Sequence, residues 1–307
     1  MSDERLAGAQ TPRHLLALRH EAERLSERLP GLLVEAERVA ATVAQGVHGR
    51  RRTGLGETFW QFRSYQAGDD ASGIDWRQSA RSRHLFVREQ EWEAAESVWL
   101  WCDLSRSMRF RSSRHLPAKQ DRALILAFGL ATLLVRAGER VSLLGSGERP
   151  HGGKHGLNML SRSLAAAAGA HAAGEDSLPP QVPLPRFARL VLLSDFLEPV
   201  ETLRRRLAPY ITGGARACLL QVNDPAEESL PYEGRVQFEG LEQDGQELIG
   251  NVGSVRERYR ARFATHREEL VRLGASRGWR FAAHRTDHGA ESALLTLYQM
   301  LAPRAVR

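Results

Sequence analysis

A chain of 307 residues, 42% hydrophobic and 26% charged, is long enough to bury a sizeable core, which excludes a disordered or fibrous protein. Its net charge of +6 sets 43 basic residues against 37 acidic ones. Acids are interleaved with the arginines almost everywhere, so the balance reads as composition and nucleic-acid binding is disfavoured. Only Lys119 and Lys154 are lysines, and the two cysteines, Cys102 and Cys218, sit inside apolar runs without zinc spacing, which excludes disulfide scaffolds and zinc ribbons.

The chain opens with acids and has no apolar leader-like run. Its longest apolar stretch, 123–135, has 13 residues, short of the roughly 20 that cross a bilayer. A cytoplasmic protein with no membrane insertion is expected. Leu15, Leu16, Leu18, Leu25 and Leu29 fall near helical spacing before Pro30-Gly31, and a second helix is expected to reach about Gln45. Residues 46–92 then turn rich in Gly, Arg, Asp and Trp, with only short strand-like pieces such as His84–Arg88. Three regions follow: helical over 1–48, an arm over 49–94 packed on the core, and a domain over 95–302.

Beyond Ser97, apolar runs alternate with helical patterns. Strands are expected at 98–102, 140–145, 189–194, 216–222 and 279–284, and helices at about 118–137, 156–170, 199–208, 252–276 and 290–301. That order predicts an α/β fold with a doubly wound, mainly parallel sheet covered by helices on both faces. Asp244-Gly245 between two alternating runs predicts a hairpin over 235–249, and the Pro-rich stretch 177–186 reads as a surface connector.

In such sheets ligands sit at the carboxyl ends of the strands, where the strand order reverses. There the first strand is followed by Asp103-Leu104-Ser105-Arg106-Ser107, whose carboxylate and hydroxyl oxygens, two residues apart, suit a hard cation such as Mg²⁺ or Mn²⁺. A second carboxylate, Asp195, ends a later strand, where it could hold a metal-bound water. The plainer alternative for both is an Asp that caps a helix or orders a loop.

Strand, Asp-x-Ser-x-Ser, helix and a later strand-end Asp together resemble the metal-ion-dependent adhesion site of von Willebrand factor A domains. The stretch 65–81, with Asp69, Asp70, Asp75, Trp76, Arg77 and Arg81, resembles the signature of a bacterial family known as domain of unknown function 58. Members of that family are A-domain-like and commonly associated with MoxR-type AAA+ ATPases. The resemblance implies a von Willebrand A-like fold in which Asp103, Ser105 and Ser107 supply first-loop ligands and Asp195 a third-loop one. It also implies that an acidic side chain of a partner completes the cation's coordination. A domains add a second-loop threonine, but residues 145–190 contain none, leaving Asn158, Ser161 or a backbone oxygen of Gly152-Gly153 as substitutes.

The alternating charges of the 65–81 stretch could serve a partner or pin the arm to the core, with Trp76 and Tyr65 as hydrophobic anchors. The function expected is a divalent-metal-assisted protein-interaction module, an adaptor or co-chaperone of a MoxR-type AAA+ ATPase. A metal-dependent hydrolase is the alternative, with His115 and His155 as candidate bases. Nucleic-acid binding through Arg50-Arg51-Arg52, Phe59, Trp60 and Arg63 is the lesser one.

Overall fold

The computed structural model describes residue 19 and residues 53–54, 58–65, 74–81, 84–91, 96–170, 177–239 and 245–301. Asp69, Asp70 and the helices expected over 13–45 lie outside the described residues, apart from helical Arg19. Two compact units emerge, one within 39–96 and the other containing 97–301.

In the smaller unit, strands β1 (Thr53–Gly54), β2 (Thr58–Ser64) and β3 (Phe86–Glu91) form an antiparallel sheet in the order β1-β3-β2. Ahead of β3 lies the short helix α1 (Trp76–Ser79). Asp75 caps it by accepting the Gln78 amide at 2.9 Å, and the Ser79 hydroxyl accepts the Phe86 amide at 2.9 Å, so local side-chain bonds fix the turn into β3. Trp76 departs from the expected anchor role. It is 65% exposed, although it lies three residues before the buried Ser79 in the same helical turn.

The larger unit is built on five parallel strands: β4 (Ser97–Cys102), β5 (Arg140–Leu143), β6 (Arg189–Ser194), β7 (Arg216–Asn223) and, after the hairpin described below, β10 (Arg280–Arg285). Their order is β5-β4-β6-β7-β10. Strand alternation sends Val98, Leu100 and Cys102 to one face and Trp99 and Trp101 to the other. The first face is covered by helices α2 (Lys119–Arg136), α3 (Gly153–Ala170) and α7 (Ala290–Leu301). On the second face lie α4 (Val200–Thr212) and α6 (Val252–Ala275), while the short α5 (Pro225–Ser229) follows β7 directly.

Leu100, Leu190 and Leu192 expose no surface, and burying such a side chain contributes about 1.5–3 kcal/mol. The apolar run 123–135 becomes the core of α2, where Leu124, Leu126 and Leu130 are fully buried. Among the described residues no helix is long and apolar enough to cross a membrane. Both cysteines are buried free thiols, and burial pushes each pKa upward, Cys218 to about 12.

The predicted hairpin is present as β8 (Val236–Glu239) paired antiparallel with β9 (Gln246–Ile249), in register Val236↔Ile249. Residues 240–244 of its turn lie outside the described residues, and Gly245 at φ +84° adopts a conformation that glycine tolerates. The Pro-rich connector does more than cross the surface. Leu178, Val182 and Leu184 pack on the second-face core, and Tyr210 reaches back to donate to the Pro180 carbonyl.

Candidate functional site

From β4 the chain runs outward to β5 and then returns past β4 to β6, so the strand order reverses between β4 and β6. A crevice opens at the carboxyl ends of two such strands. Asp103 follows β4 and Asp195 follows β6, and the Asp103 amide extends the ladder by donating to Leu193 O at 2.9 Å. The Asp103 carboxylate is turned back into the protein. Oδ1 accepts the Ser105 amide at 2.9 Å, which closes a tight turn, and Oδ2 accepts the Ser194 hydroxyl at 2.7 Å.

That turn brings the remaining loop hydroxyls across to the second strand end. Ser105 Oγ lies 3.1 Å from Ser107 Oγ, and Ser107 donates to Asp195 Oδ2 at 2.7 Å. Asp195 is fixed from behind as its carbonyl accepts Gln221 Nε2 at 3.0 Å, and from ahead by Phe196. Phe196 has a left-handed φ of +49°, costly for a residue with a side chain. It is held there by the Ser194 hydroxyl on its amide at 2.9 Å and by His266 Nε2 at 2.6 Å from its carbonyl.

Lys119, at the first turn of α2, completes the cluster. Its Nζ donates to Asp195 Oδ2 at 2.8 Å and to Glu227 Oε1, and it exposes no surface. The positive end of a helix is a poor place for an ammonium, so the two carboxylates must supply what holds it there. Glu227 is placed by a capping box on α5. Asp224 accepts the Ala226 amide at 2.8 Å while Glu227 Oε2 accepts the Asp224 amide at 2.9 Å. Asp224 Oδ2 also accepts the Ser112 amide at 2.9 Å, tying the loop after β4 to the end of β7.

The electrostatics follow from burial. Asp103 and Asp195 are 1% and 2% exposed, and burial, then the Asp195 charge, raises the Asp103 pKa to about 7 despite the bonds from Ser105 and Ser194. For Lys119 burial works against the charged form, but the Asp195 and Glu227 charges prevail and hold it at about 12. Glu227 is raised by burial, with Lys119 pulling the other way.

Of the residues singled out in the sequence, Asp103, Ser105, Ser107 and Asp195 form one hydrogen-bonded cluster, while Asp75, Trp76, Arg77 and Arg81 lie in the smaller unit. None of the proposed threonine substitutes borders the cleft beside Asp195; Asn158 instead accepts Arg19 Nη1 at 2.8 Å. His115 and His155 do not border it either. Lys119 and Glu227 were missed. One signal was available for Lys119, since a chain that uses arginine for 41 of its 43 basic residues places one of its two lysines at this helix start.

Residues 61–269 match the family described as Protein of unknown function DUF58. The chain belongs to this family. Every residue of the cluster lies within the matched span. The DUF58 chain is also similar to "Uncharacterized protein Rv1480" of Mycobacterium tuberculosis and "Uncharacterized protein Mb1516" of Mycobacterium bovis, each 26% identical over 80% of both chains. A solved structure titled "Crystal Structure of Uncharacterized Membrane Spanning Protein from Vibrio fischeri" aligns with 68% of this chain and 96% of its own at 13% identity. Its TM-score of 0.17 says nothing about the fold of this one.

Proposed function

We propose that this protein is an interaction module whose site takes a divalent cation, Mg²⁺ or Mn²⁺, and that it serves a MoxR-type AAA+ ATPase as adaptor or co-chaperone. The observation that carries this reading is the chain of contacts from Ser105 through Ser107 to Asp195, which joins two strand ends at the reversal of strand order. A parallel sheet with Asp-x-Ser-x-Ser behind its first strand supports a von Willebrand A-like domain, and DUF58 membership supports the ATPase association.

The donor set suits a hard cation in kind: two carboxylates and two hydroxyls with no soft ligand. Among the described residues no group of three or more His, Cys, Asp or Glu gathers around a common point, so hydroxyls and water would have to make up the coordination. Asp103, Ser105 and Ser107 would hold the ion, with Asp195 positioning a water. A bound ion would supply positive charge that a partner's Asp or Glu can complete. The protein's own residues do the remainder. Ser194 and the Ser105 amide orient Asp103, Lys119 and Glu227 hold Asp195 in place, and any proton on the Asp103 carboxyl must leave before that group can act as a charged ligand.

The deciding experiment is co-purification from the native host's lysate, with wild type and Asp103→Ala compared in magnesium and in EDTA. Retention of an AAA+ ATPase by wild type in magnesium, and its loss in the other three conditions, is the expected result. Retention in all four would remove the cation from the interaction, and retention in none would overturn the adaptor reading.

A further inference from the structure

Next to the cluster lies a cleft of about 590 Å³, a size that accommodates a ligand rather than a single ion. Its floor is Ser107, Asp195 and Glu227, and the β8–β9 hairpin stands along one side. The interior is largely apolar, with Phe110, Leu203, Leu230, Tyr232, Phe238 and Tyr259 among its walls. Leu197 stands at the cleft, 47% exposed.

Two properties define what fits. The first is charge. Asp195, Glu198, Glu227 and Glu239 line the cleft, while among the described residues no lysine, arginine or histidine does, although the chain as a whole carries a net charge of +6. Lys119 offsets part of this charge from beneath, and nearby Arg256 is committed to the Leu230 and Tyr232 carbonyls at 2.9 and 2.7 Å. The Glu239 side chain is exposed and, among the described residues, has no hydrogen-bond or ion-pair partner. A cationic group brought to these carboxylates gains charge-assisted bonds, whereas an anionic one is repelled.

The second property is an open strand edge. All four consecutive residues of β8, Val236 to Glu239, border the cleft, although alternate residues of a strand point to opposite faces. The strand therefore meets the cleft with its edge as well as with Val236 and Phe238. Among the described residues β8 pairs with β9 alone, so its other edge offers free backbone donors and acceptors.

We infer that the cleft receives an extended segment of a partner protein that carries an arginine or lysine beside a large apolar side chain and adds as a strand to β8. The apolar side chain fills the space between Leu230, Tyr232 and Phe238, and the cationic one reaches Glu198 and Glu239. This inference rests on the protein-interaction reading above but not on the cation.

The test uses the full chain in EDTA and an array of synthetic hexapeptides in which Arg, Gln or Glu stands beside Leu or Phe. The Arg peptides should bind and the Glu peptides should not. Methylation of alternate peptide amides should abolish binding, as strand addition requires. The double substitution Glu198→Gln/Glu239→Gln, at positions outside the core, should weaken the Arg peptides about tenfold. Phe238→Ala should weaken every binding peptide alike. Equal binding of Glu and Arg peptides, unchanged binding by the double variant, tolerance of amide methylation or no binding at all would each overturn the inference. The two readings fail separately. If an ATPase co-purifies while no peptide binds, only the cleft assignment falls; if Arg peptides bind while no ATPase is retained, only the ATPase partner falls.

Discussion

Lys119 Nζ stands 2.8 Å from Asp195 Oδ2, the same oxygen that accepts the Ser107 hydroxyl. One carboxylate oxygen thus joins a buried ammonium to the loop that carries the candidate ligands. Removing one partner of a buried pair leaves the other charged and dry, which costs about 3–5 kcal/mol. Lys119→Met should therefore lower the unfolding free energy by about that much in chemical denaturation. Lys119→Arg should also destabilise, because a wider guanidinium does not fit a site shaped around an ammonium that exposes no surface. Adding Asp195→Asn and Glu227→Gln to Lys119→Met should recover part of the loss. Full stability in Lys119→Met would show that the pair is not buried in solution.

Two groups should pull the pH dependence of stability in opposite directions. His284, buried and with no partner for Nε2 among the described residues, is held down to about 4 by burial and by the Arg122 and His288 charges. Between pH 4 and 6.5 the unfolded chain takes up a proton there that the folded chain refuses, so this contribution falls as pH drops, by up to about 3 kcal/mol. Asp103 has the opposite sign, since its folded pKa lies near 7 against an ordinary 3.8. Its contribution is present at low pH and is lost as pH rises through that window. Denaturation midpoints should show the two apart. Relative to wild type, Asp103→Asn should make stability rise more steeply from pH 4 to 6.5, and His284→Gln should make it rise less or fall. Parallel pH profiles for all three proteins would contradict both assignments.

Much of the larger unit was legible because its two periodicities are unambiguous. RLVLLS at 189–194 is fully apolar except at its ends and becomes β6, buried at every position, while the helix expected over 290–301 is α7. Placing Asp103 and Asp195 at strand ends brought out the two strand ends that the loop serines join, since strand ends flanking an order reversal share a crevice. What stayed hidden depends on contacts between distant residues. Lys119 and Glu227 are 108 positions apart, and nothing local marks either as more than a helix-start residue. The hairpin was readable from its alternation, but its position along the cleft was not. Trp76 was misread because a large aromatic suggests an anchor, whereas its side chain is 65% exposed.

Gly156 offers a contest between two effects of known size. In a helix interior alanine is favoured over glycine by about 1 kcal/mol, and Gly156 lies in the first turns of α3. A Cβ at this position would fall 2.1 Å from the His151 carbonyl oxygen, a backbone atom that cannot rotate away. His151 is itself held by paired backbone bonds to Val141, each 3.0 Å. The clash should win, and Gly156→Ala should destabilise by about 1–3 kcal/mol. A stabilised variant would mean that the loop before α3 shifts more freely than its bonds to β5 imply.

The proposed cation gives a prediction that needs no partner. A ligand that binds only the folded chain raises stability by about 1.4 kcal/mol at ten times its dissociation constant and by about as much again for each further tenfold, so titrating Mn²⁺ should raise the wild-type unfolding midpoint with the logarithm of its concentration. The increment should vanish in Asp103→Asn and in Ser105→Ala/Ser107→Ala, which remove the charge and the hydroxyls separately. Lys119→Met should show a larger increment than wild type despite its lower starting stability, because Asp195 then loses the ammonium that shares Oδ2. That inverse pattern separates a cation held by this cluster from one bound loosely to surface carboxylates, which none of these substitutions would affect. An identical increment in all four proteins would take the ion away from Asp103, and the strand-binding cleft would have to account for any partner on its own.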